Sequence, residues 1–163
     1  MRASCQVPRR GHPNYGRDVA SPIAFTVTRV PAAETYPLRA LVLHGGAPPA
    51  TARVTGDDQP DVATFAARDA DGVVVGCVGL FPAPQRTWRV RRLVTAGAWR
   101  GRGVGTAVLA AALAHAESHG GGTVWCNATP AGVALFLRAG FEQVGAPWED
   151  PEFGRNVRMA REV

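Results

Sequence analysis

The sequence contains no lysine, because all 18 of its basic residues are arginines, and its formal net charge is +5. The absence of lysine excludes the P-loop nucleotide-binding proteins, whose motif requires a Gly-Lys pair followed by Ser or Thr. A codon bias toward arginine, alanine and glycine is the simplest explanation of this composition. The positive charge also suits a small anionic ligand or a nucleic acid, and charge alone does not separate these two partners.

Long apolar runs are also missing from the chain. No stretch of about 18 apolar residues is present, so the sequence predicts no transmembrane helix. The N-terminal segment, MRASCQVPRRGHPNYGRDVASP, lacks the apolar centre that a secretory signal peptide needs. We therefore expect a cytoplasmic protein without a membrane partner.

Cysteines are few and widely spaced, at Cys5, Cys77 and Cys126. Their odd number and their spacing form neither a metal-binding motif nor an evident disulfide framework. We therefore expect no metal site. Cys77 and Cys126 lie in apolar, strand-like segments, which favours buried free thiols.

The pattern of apolar residues predicts one domain preceded by an arm. Residues 1–22 are rich in Pro, Gly and Arg and show no periodicity, which predicts a flexible N-terminal arm. Residues 23–163 form the predicted domain, in the order β-α-β-β-β-α-β-α-β-β. The elements are expected at 23–31, 32–46 (a helix broken at Pro37), 61–84 (a hairpin), 87–97, 104–119, 123–129, 130–140, 141–150 and 154–163.

The segment WRGRGVGT, residues 99–106, places three glycines where a strand gives way to a helix. A helix start presents backbone N–H groups without intrahelical partners and a partial positive charge, so it can bind an anion. Glycines allow an oxyanion to approach the backbone, and Arg100 and Arg102 add charge. The dinucleotide-binding pattern G-x-G-x-x-G/A does not fit, because its last position would be Thr106 or Val108. The sequence therefore predicts a phosphate or pyrophosphate site of another kind, or a glycine-rich helix start without a ligand.

Two segments resemble the signatures of the GCN5-related N-acetyltransferase (GNAT) superfamily. Arg100-x-x-Gly103-x-Gly105 between a strand and a helix is similar to the family's acyl-CoA-binding motif, and ALFLRAGFE (134–142) is similar to its second signature. They are separated by one helix and one strand, as in the family. The resemblance implies an α+β (α/β three-layer) fold with a mixed, mostly antiparallel central sheet, whose central strands splay apart and are flanked by helices. The domain at 23–163 would then bind acyl-CoA.

The resemblance also implies acetyl-CoA as the co-substrate and assigns residues to its binding. In the family the pantetheine arm lies along the fourth strand and the pyrophosphate lies on the amides of the glycine turn. The cofactor-binding residues implied in this chain are Leu93, Val94, Thr95, Arg100, Gly101, Arg102, Gly103, Val104, Gly105, Thr106, Asn127 and Phe136.

For catalysis, the resemblance implies direct attack of a primary amine on the thioester in a ternary complex. Many members protonate the leaving thiolate with a tyrosine, and this chain has Phe136 at that position. Asn127 and Glu149 are the candidate catalytic residues, and one of the carboxylates of Glu149, Asp150 and Glu152 would act as a base through water. The alternatives are that Asn127 closes a strand into a turn, that Glu149 is a solvated loop carboxylate, and that Phe136 is a core aromatic.

The acceptor is expected to be a small-molecule or peptide amine, and dimers are common in the family, so a homodimer is a further expectation. A second reading is a degenerate acyl-CoA-binding module with little or no turnover. Nucleic-acid binding through Arg89, Arg91 and Arg92 is disfavoured, because strand alternation would place Arg92 on the opposite face from the other two.

Overall fold

The computed structural model describes residues 24–163, so the predicted arm at 1–22, together with Cys5, lies outside the described residues. Seven strands and three α-helices follow one another in the expected order. They are β1 (Thr26–Arg29), α1 (Tyr36–Leu43), β2 (Ala63–Arg68), β3 (Val74–Ala83), β4 (Thr87–Thr95), α2 (Val104–Ser118), β5 (Thr123–Ala128), α3 (Pro130–Arg138), β6 (Glu142–Asp150) and β7 (Gly154–Glu162).

The strands form one mixed sheet in the order β1-β2-β3-β4-β5-β7-β6. Every neighbouring pair is antiparallel except β4 and β5, which run parallel. A parallel pair needs a long crossover connection, and α2 supplies it between these two strands. The predicted fold class is confirmed, because the sheet is mixed, mostly antiparallel and flanked by helices.

The helices cover the two faces of the sheet unequally. α2 and α3 pack on one face, where Val108, Leu109 and Phe136 join the main core with Trp88 and Val124. On the other face α1 packs over β3 and β4 through a smaller cluster of Leu38, Cys77 and Val94. No helix among residues 24–163 is long and apolar enough to cross a membrane.

The first helix differs from the predicted one in its start and in the effect of its proline. A 3-10 turn spans Ala32–Thr35, and α1 follows it directly with Pro37 in its first turn. Proline is tolerated there because the first turn contains N–H groups without intrahelical partners. Pro37 therefore marks the start of the helix and does not break it.

A buried ion pair joins α1 to the loop that follows it. Arg39 Nη1 lies 2.8 Å from Asp57 Oδ2, and both side chains are fully buried. The same carboxylate oxygen accepts a hydrogen bond from the Val54 amide at 2.8 Å. Because an unpaired buried charge is costly, this pair fixes the position of α1 against the loop.

The first turn of α2 lies directly on β3. A Cβ atom at Gly76 would clash with Cγ1 of Val104, the first residue of α2. The backbone of β3 and the start of α2 can therefore approach closely only because residue 76 is glycine. This contact sets the height of the glycine turn above the sheet.

We expect Gly76→Ala to lower the free energy of unfolding by about 1–3 kcal/mol, because the new methyl group overpacks a buried contact. Urea denaturation measures this change. Gly97→Ala is the matched control, because a Cβ at Gly97 meets no atom within 4 Å. An equal and small effect of both substitutions would show that β3 and α2 are not in tight contact.

Candidate active site

The central feature of the sheet is a gap between β4 and β5. These strands pair only at Thr87↔Thr123, Trp88↔Val124 and Arg89↔Trp125. Beyond Arg89, β4 continues to Thr95 in contact with β3, and the rest of β5 pairs with β7. The inner edges of both strands therefore present backbone N–H and C=O groups that no other strand in the described part of the chain pairs with.

A β-bulge bends β4 where it leaves β5. Two residues of β3, Cys77 and Gly79, pair with Val94 and Arg91, so β4 has one extra residue between them. Within this bulge Arg92 adopts a left-handed φ of 55°. The extra residue reverses the alternation of side chains along β4. Val90 and Val94 would share a face in a regular strand, but Val90 lies in the main core and Val94 packs under α1 on the opposite face.

The bulge also corrects the expected placement of the arginines on β4. Strict alternation would separate Arg92 from Arg89 and Arg91. In the structure, burial and the positive charges of Arg158 and Arg92 lower the pKa of Arg89, while burial and the charges of Arg89 and Arg92 lower that of Arg91. The three guanidinium groups are thus electrostatic neighbours, and the bulge removes the expected separation of Arg92 from Arg89 and Arg91.

The glycine turn follows β4 and begins α2. After a short 3-10 turn at Gly97–Trp99, Gly101 and Gly103 adopt φ values of 72° and 82°. Gly103 is the N-cap of α2, and within residues 24–163 no side chain caps the first amides of the helix. The first N–H groups of α2, from Val104 to Thr106, therefore have no intrahelical partners.

Open space surrounds this turn on its outer side and tight packing supports its inner side. A Cβ at Gly101 or Gly103 would meet no atom of the described residues within 4 Å. At Gly105 a Cβ would lie 2.8 Å from Leu135 Cδ1 and 3.4 Å from Thr95 Oγ1. The turn is therefore held against α3 and the end of β4, while its outer amides face open space with the exposed Arg100 and Arg102.

The end of β5 brings a predicted residue together with one that sequence reasoning missed. Asn127 is exposed, and its Oδ1 accepts a hydrogen bond from Arg158 Nε at 3.3 Å. Asn127 lies opposite Arg158 in the β5–β7 register. Both alternate with residues of the main core, Cys126 and Met159, so their side chains lie on the α1 face of the sheet.

Phe136 and Glu149 lie away from this face. Phe136 is 5% exposed and packs edge-on against Phe141 at 5.2 Å between ring centroids, which makes it part of the main core. Glu149 is exposed and lies opposite Arg155 in the β6–β7 register. Arg155 and Val157 are two positions apart in β7, so their side chains share one face of the sheet, and Val157 packs on the main core. Glu149, opposite Arg155, therefore lies on the core face. The structure does not bring Glu149 together with Asn127.

The two described cysteines are buried on opposite faces of the sheet. Cys126 is 2% exposed in the main core, and burial raises the pKa of its thiol to about 12. Cys77 is fully buried under α1, and burial raises its pKa as well. Neither thiol has the thiolate character that a nucleophile requires. Within residues 24–163, no group of three or more His, Cys, Asp or Glu side chains could hold a metal ion.

Comparison with known proteins connects this geometry to a family. A family model described as the Acetyltransferase (GNAT) family matches residues 34–141, more than half of the chain. No curated protein sequence matches the chain.

Solved structures share the fold at low sequence identity. A Lactobacillus plantarum protein assigned as an N-acetyltransferase aligns with a TM-score of 0.72 and 21% identity, over 85% of this chain and 98% of that one. A Klebsiella pneumoniae protein assigned as an acyl-CoA N-acyltransferase gives 0.69 and 24%, over 85% and 97%. An aminoglycoside 6'-N-acetyltransferase complexed with coenzyme A gives 0.70 and 16%, over 84% and 96%. The matched segment and the shared fold show that this chain belongs to the GNAT family of acetyltransferases.

Proposed function

We propose that this protein is an N-acetyltransferase that transfers the acetyl group of acetyl-CoA to a primary amine. One observation carries the proposal: the unpaired edge of β4 leads directly to an uncapped helix start with open space around it. A coenzyme A molecule needs both features, because its pantetheine arm carries amides and its pyrophosphate carries negative charge.

The donor would bind in two parts. Its pantetheine amides would pair with the backbone of Leu93, Val94 and Thr95, in the manner of an added strand. Its pyrophosphate would accept hydrogen bonds from the amides between Gly101 and Thr106, where the helix dipole also favours negative charge. Arg100 and Arg102 are exposed beside this turn and would add attraction. Asn127, at the mouth of the gap, would contact the thioester end of the donor or the acceptor.

The transfer would be a direct attack in a ternary complex. The amine nitrogen forms a bond to the thioester carbonyl carbon, the C–S bond breaks, and coenzyme A leaves as the thiolate. The amine loses one proton, and the thiolate takes one up from solvent. A backbone N–H near Val94 or Thr95 would stabilise the oxyanion of the tetrahedral intermediate. The thiolate is a fair leaving group because a free thiol has a pKa of about 8.5, so a tyrosine at position 136 is not essential.

The acceptor must reach the thioester as a neutral amine. We propose that the positive charges of Arg89 and Arg158 at the mouth of the gap disfavour the ammonium form, because a nearby like charge lowers the pKa of an ammonium group. Such an environment reduces the need for a dedicated base. The alternative base, Glu149, would have to act from the other side of the β6–β7 pair.

A second candidate function is an acyl-CoA-binding module with little turnover. The replacement of the usual tyrosine by Phe136, which is buried in the core, favours this candidate. Release of coenzyme A thiol from acetyl-CoA in the presence of a panel of primary amines separates the two. We expect at least one amine to accelerate release. Tight binding of acetyl-CoA without acceleration by any amine would favour the module.

We expect Gly103→Asp to abolish the stabilisation of the protein by acetyl-CoA, because the carboxylate would occupy the pyrophosphate position. Wild-type protein should gain about 2.7 kcal/mol of stability at a ligand concentration of 100 Kd, seen as a rise in melting temperature. Gly103→Asn matches the aspartate in size and tolerates a positive φ, so it should retain more of the effect.

Gly145→Asp controls for the added charge, because Gly145 also has a positive φ of 77° and open surroundings but lies in β6. It should leave the acetyl-CoA response unchanged. If Gly103→Asp folds and responds to acetyl-CoA as wild-type protein does, the pyrophosphate site lies elsewhere.

Direct transfer also predicts unreactive thiols. In a Cys5→Ser variant, the native protein should react only slowly with a disulfide reagent at pH 8, because both remaining thiols are buried and their pKa values are raised. Both should react after unfolding in guanidinium. Rapid reaction of one thiol in the native state, together with a stable acetyl adduct after incubation with acetyl-CoA alone, would indicate transfer through a cysteine.

A further inference from the structure

Four arginines surround the mouth of the gap on the α1 face. We call Arg89, Arg91, Arg92 and Arg158 the arginine cluster. Arg89 is the last residue of β4 that pairs with β5, and Arg158 lies opposite Asn127 near the end of β5. The cluster therefore lies where an acceptor would approach the thioester in the proposed function.

Aromatic rings support each guanidinium group. The Cζ atoms of Arg89 and Arg158 lie 4.8 Å and 4.4 Å from the centroid of the Trp125 ring. Arg91 lies over the Phe81 ring at 5.4 Å, and Arg92 lies over the Phe153 ring at 5.9 Å. Stacking on rings restrains the guanidinium planes but uses none of their N–H donors.

The arginine cluster forms no ion pair with a carboxylate among residues 24–163. The three ion pairs formed there use Arg39, Arg53 and Arg68, and none involves the cluster. Arg89 Nε and Arg92 Nε are buried without a hydrogen-bond partner in the described part of the chain. Buried polar groups are normally hydrogen-bonded, so both Nε donors are unsatisfied within residues 24–163 of the free protein.

The remaining sequence does not supply enough negative charge to compensate. Residues 1–23 contain four arginines and one carboxylate, that of Asp18. Close like charges with unsatisfied donors are unfavourable in a free protein and favourable around a bound oxyanion. Arginine is also the side chain whose fork geometry best matches carboxylate and phosphate groups.

We propose that the arginine cluster binds an oxyanion of the acceptor, so that the acceptor is a primary amine carrying a carboxylate, phosphate or phosphonate group a few bonds from its nitrogen. The proposal rests on the proposed function, because that function places the amine at the mouth of the gap. The oxyanion would bridge Arg89 and Arg158 while the amine reaches into the gap toward the thioester. Polycationic amines would be repelled by the same charges.

The first test measures binding, which does not depend on turnover. Protein saturated with coenzyme A is titrated with phosphoethanolamine and ethanolamine, and with β-alanine and propylamine, and ligand binding is measured as a rise in melting temperature. We expect each anionic amine to bind at least 10-fold more tightly than its neutral-tailed partner. Equal binding within both pairs would overturn the proposal, whether or not the protein proves to be an acetyltransferase.

Matched variants identify the residues responsible. Arg89→Gln and Arg158→Gln should each weaken binding of the anionic amines by about 10- to 100-fold, as expected for loss of a charge-assisted hydrogen bond. Binding of ethanolamine should not weaken, because each substitution removes a positive charge that repels its ammonium group. Arg138→Gln is the control, because Arg138 is exposed at the end of α3 and the change in net charge is the same. If Arg89→Gln fails to fold, Arg158→Gln still tests the proposal, because Arg158 is exposed.

The last experiment measures the rate of acetyl transfer to acceptors that carry the oxyanion in different molecules. Thiol release is compared for free anionic amines, for a peptide that begins with two acidic residues, and for the polycation spermidine. Faster kcat/KM for either anionic class, lost in Arg158→Gln but not in Arg138→Gln, supports the proposal and identifies which class is used. Preference for spermidine, or an anionic preference that survives both cluster variants, would overturn it.

Discussion

The early end of pairing between β4 and β5 is the constraint on which the rest of the structure depends. The pairs up to Arg89 and Trp125 join the two halves of the sheet, and beyond them β4 stays paired with β3 while β5 stays paired with β7. Backbone N–H and C=O groups require partners, so two unpaired edges in the middle of a sheet suit the proposed ligand, which has amides of its own. The bulge at Arg92 bends β4 at this point.

The packing around the gap holds the glycine turn close to the open edge of β4. On one side Gly76 lets α2 rest on β3, and on the other Gly105 contacts Leu135 of α3. The uncapped amides of α2 thus lie just beyond the last residue of β4. The two faces of the sheet differ in composition. The α2 and α3 side holds the core, and the α1 side presents Asn127 and the arginine cluster, which the proposed function uses.

The parts of this structure that could be predicted from the sequence are those encoded by local signals. Turn residues, glycine stops and alternation indicated the element order and the glycine turn, because each is determined within a few residues. The bulge at Arg92 was not predictable, since it depends on pairing with β3 and reverses the alternation used to place the arginines. Arg158 was missed for a similar reason: its contact with Asn127 spans 31 positions and depends on the β5–β7 register.

The central claim is that acetyl-CoA fills the gap by pairing with β4 and capping α2. Amide hydrogen exchange, followed residue by residue with and without acetyl-CoA, measures this directly. If acetyl-CoA binds there, exchange slows between Leu93 and Thr95 for amides not bonded to β3, and from Gly101 to Thr106, while exchange in β6 is unchanged. Protection confined to other segments, with the glycine turn unaffected, would contradict the account.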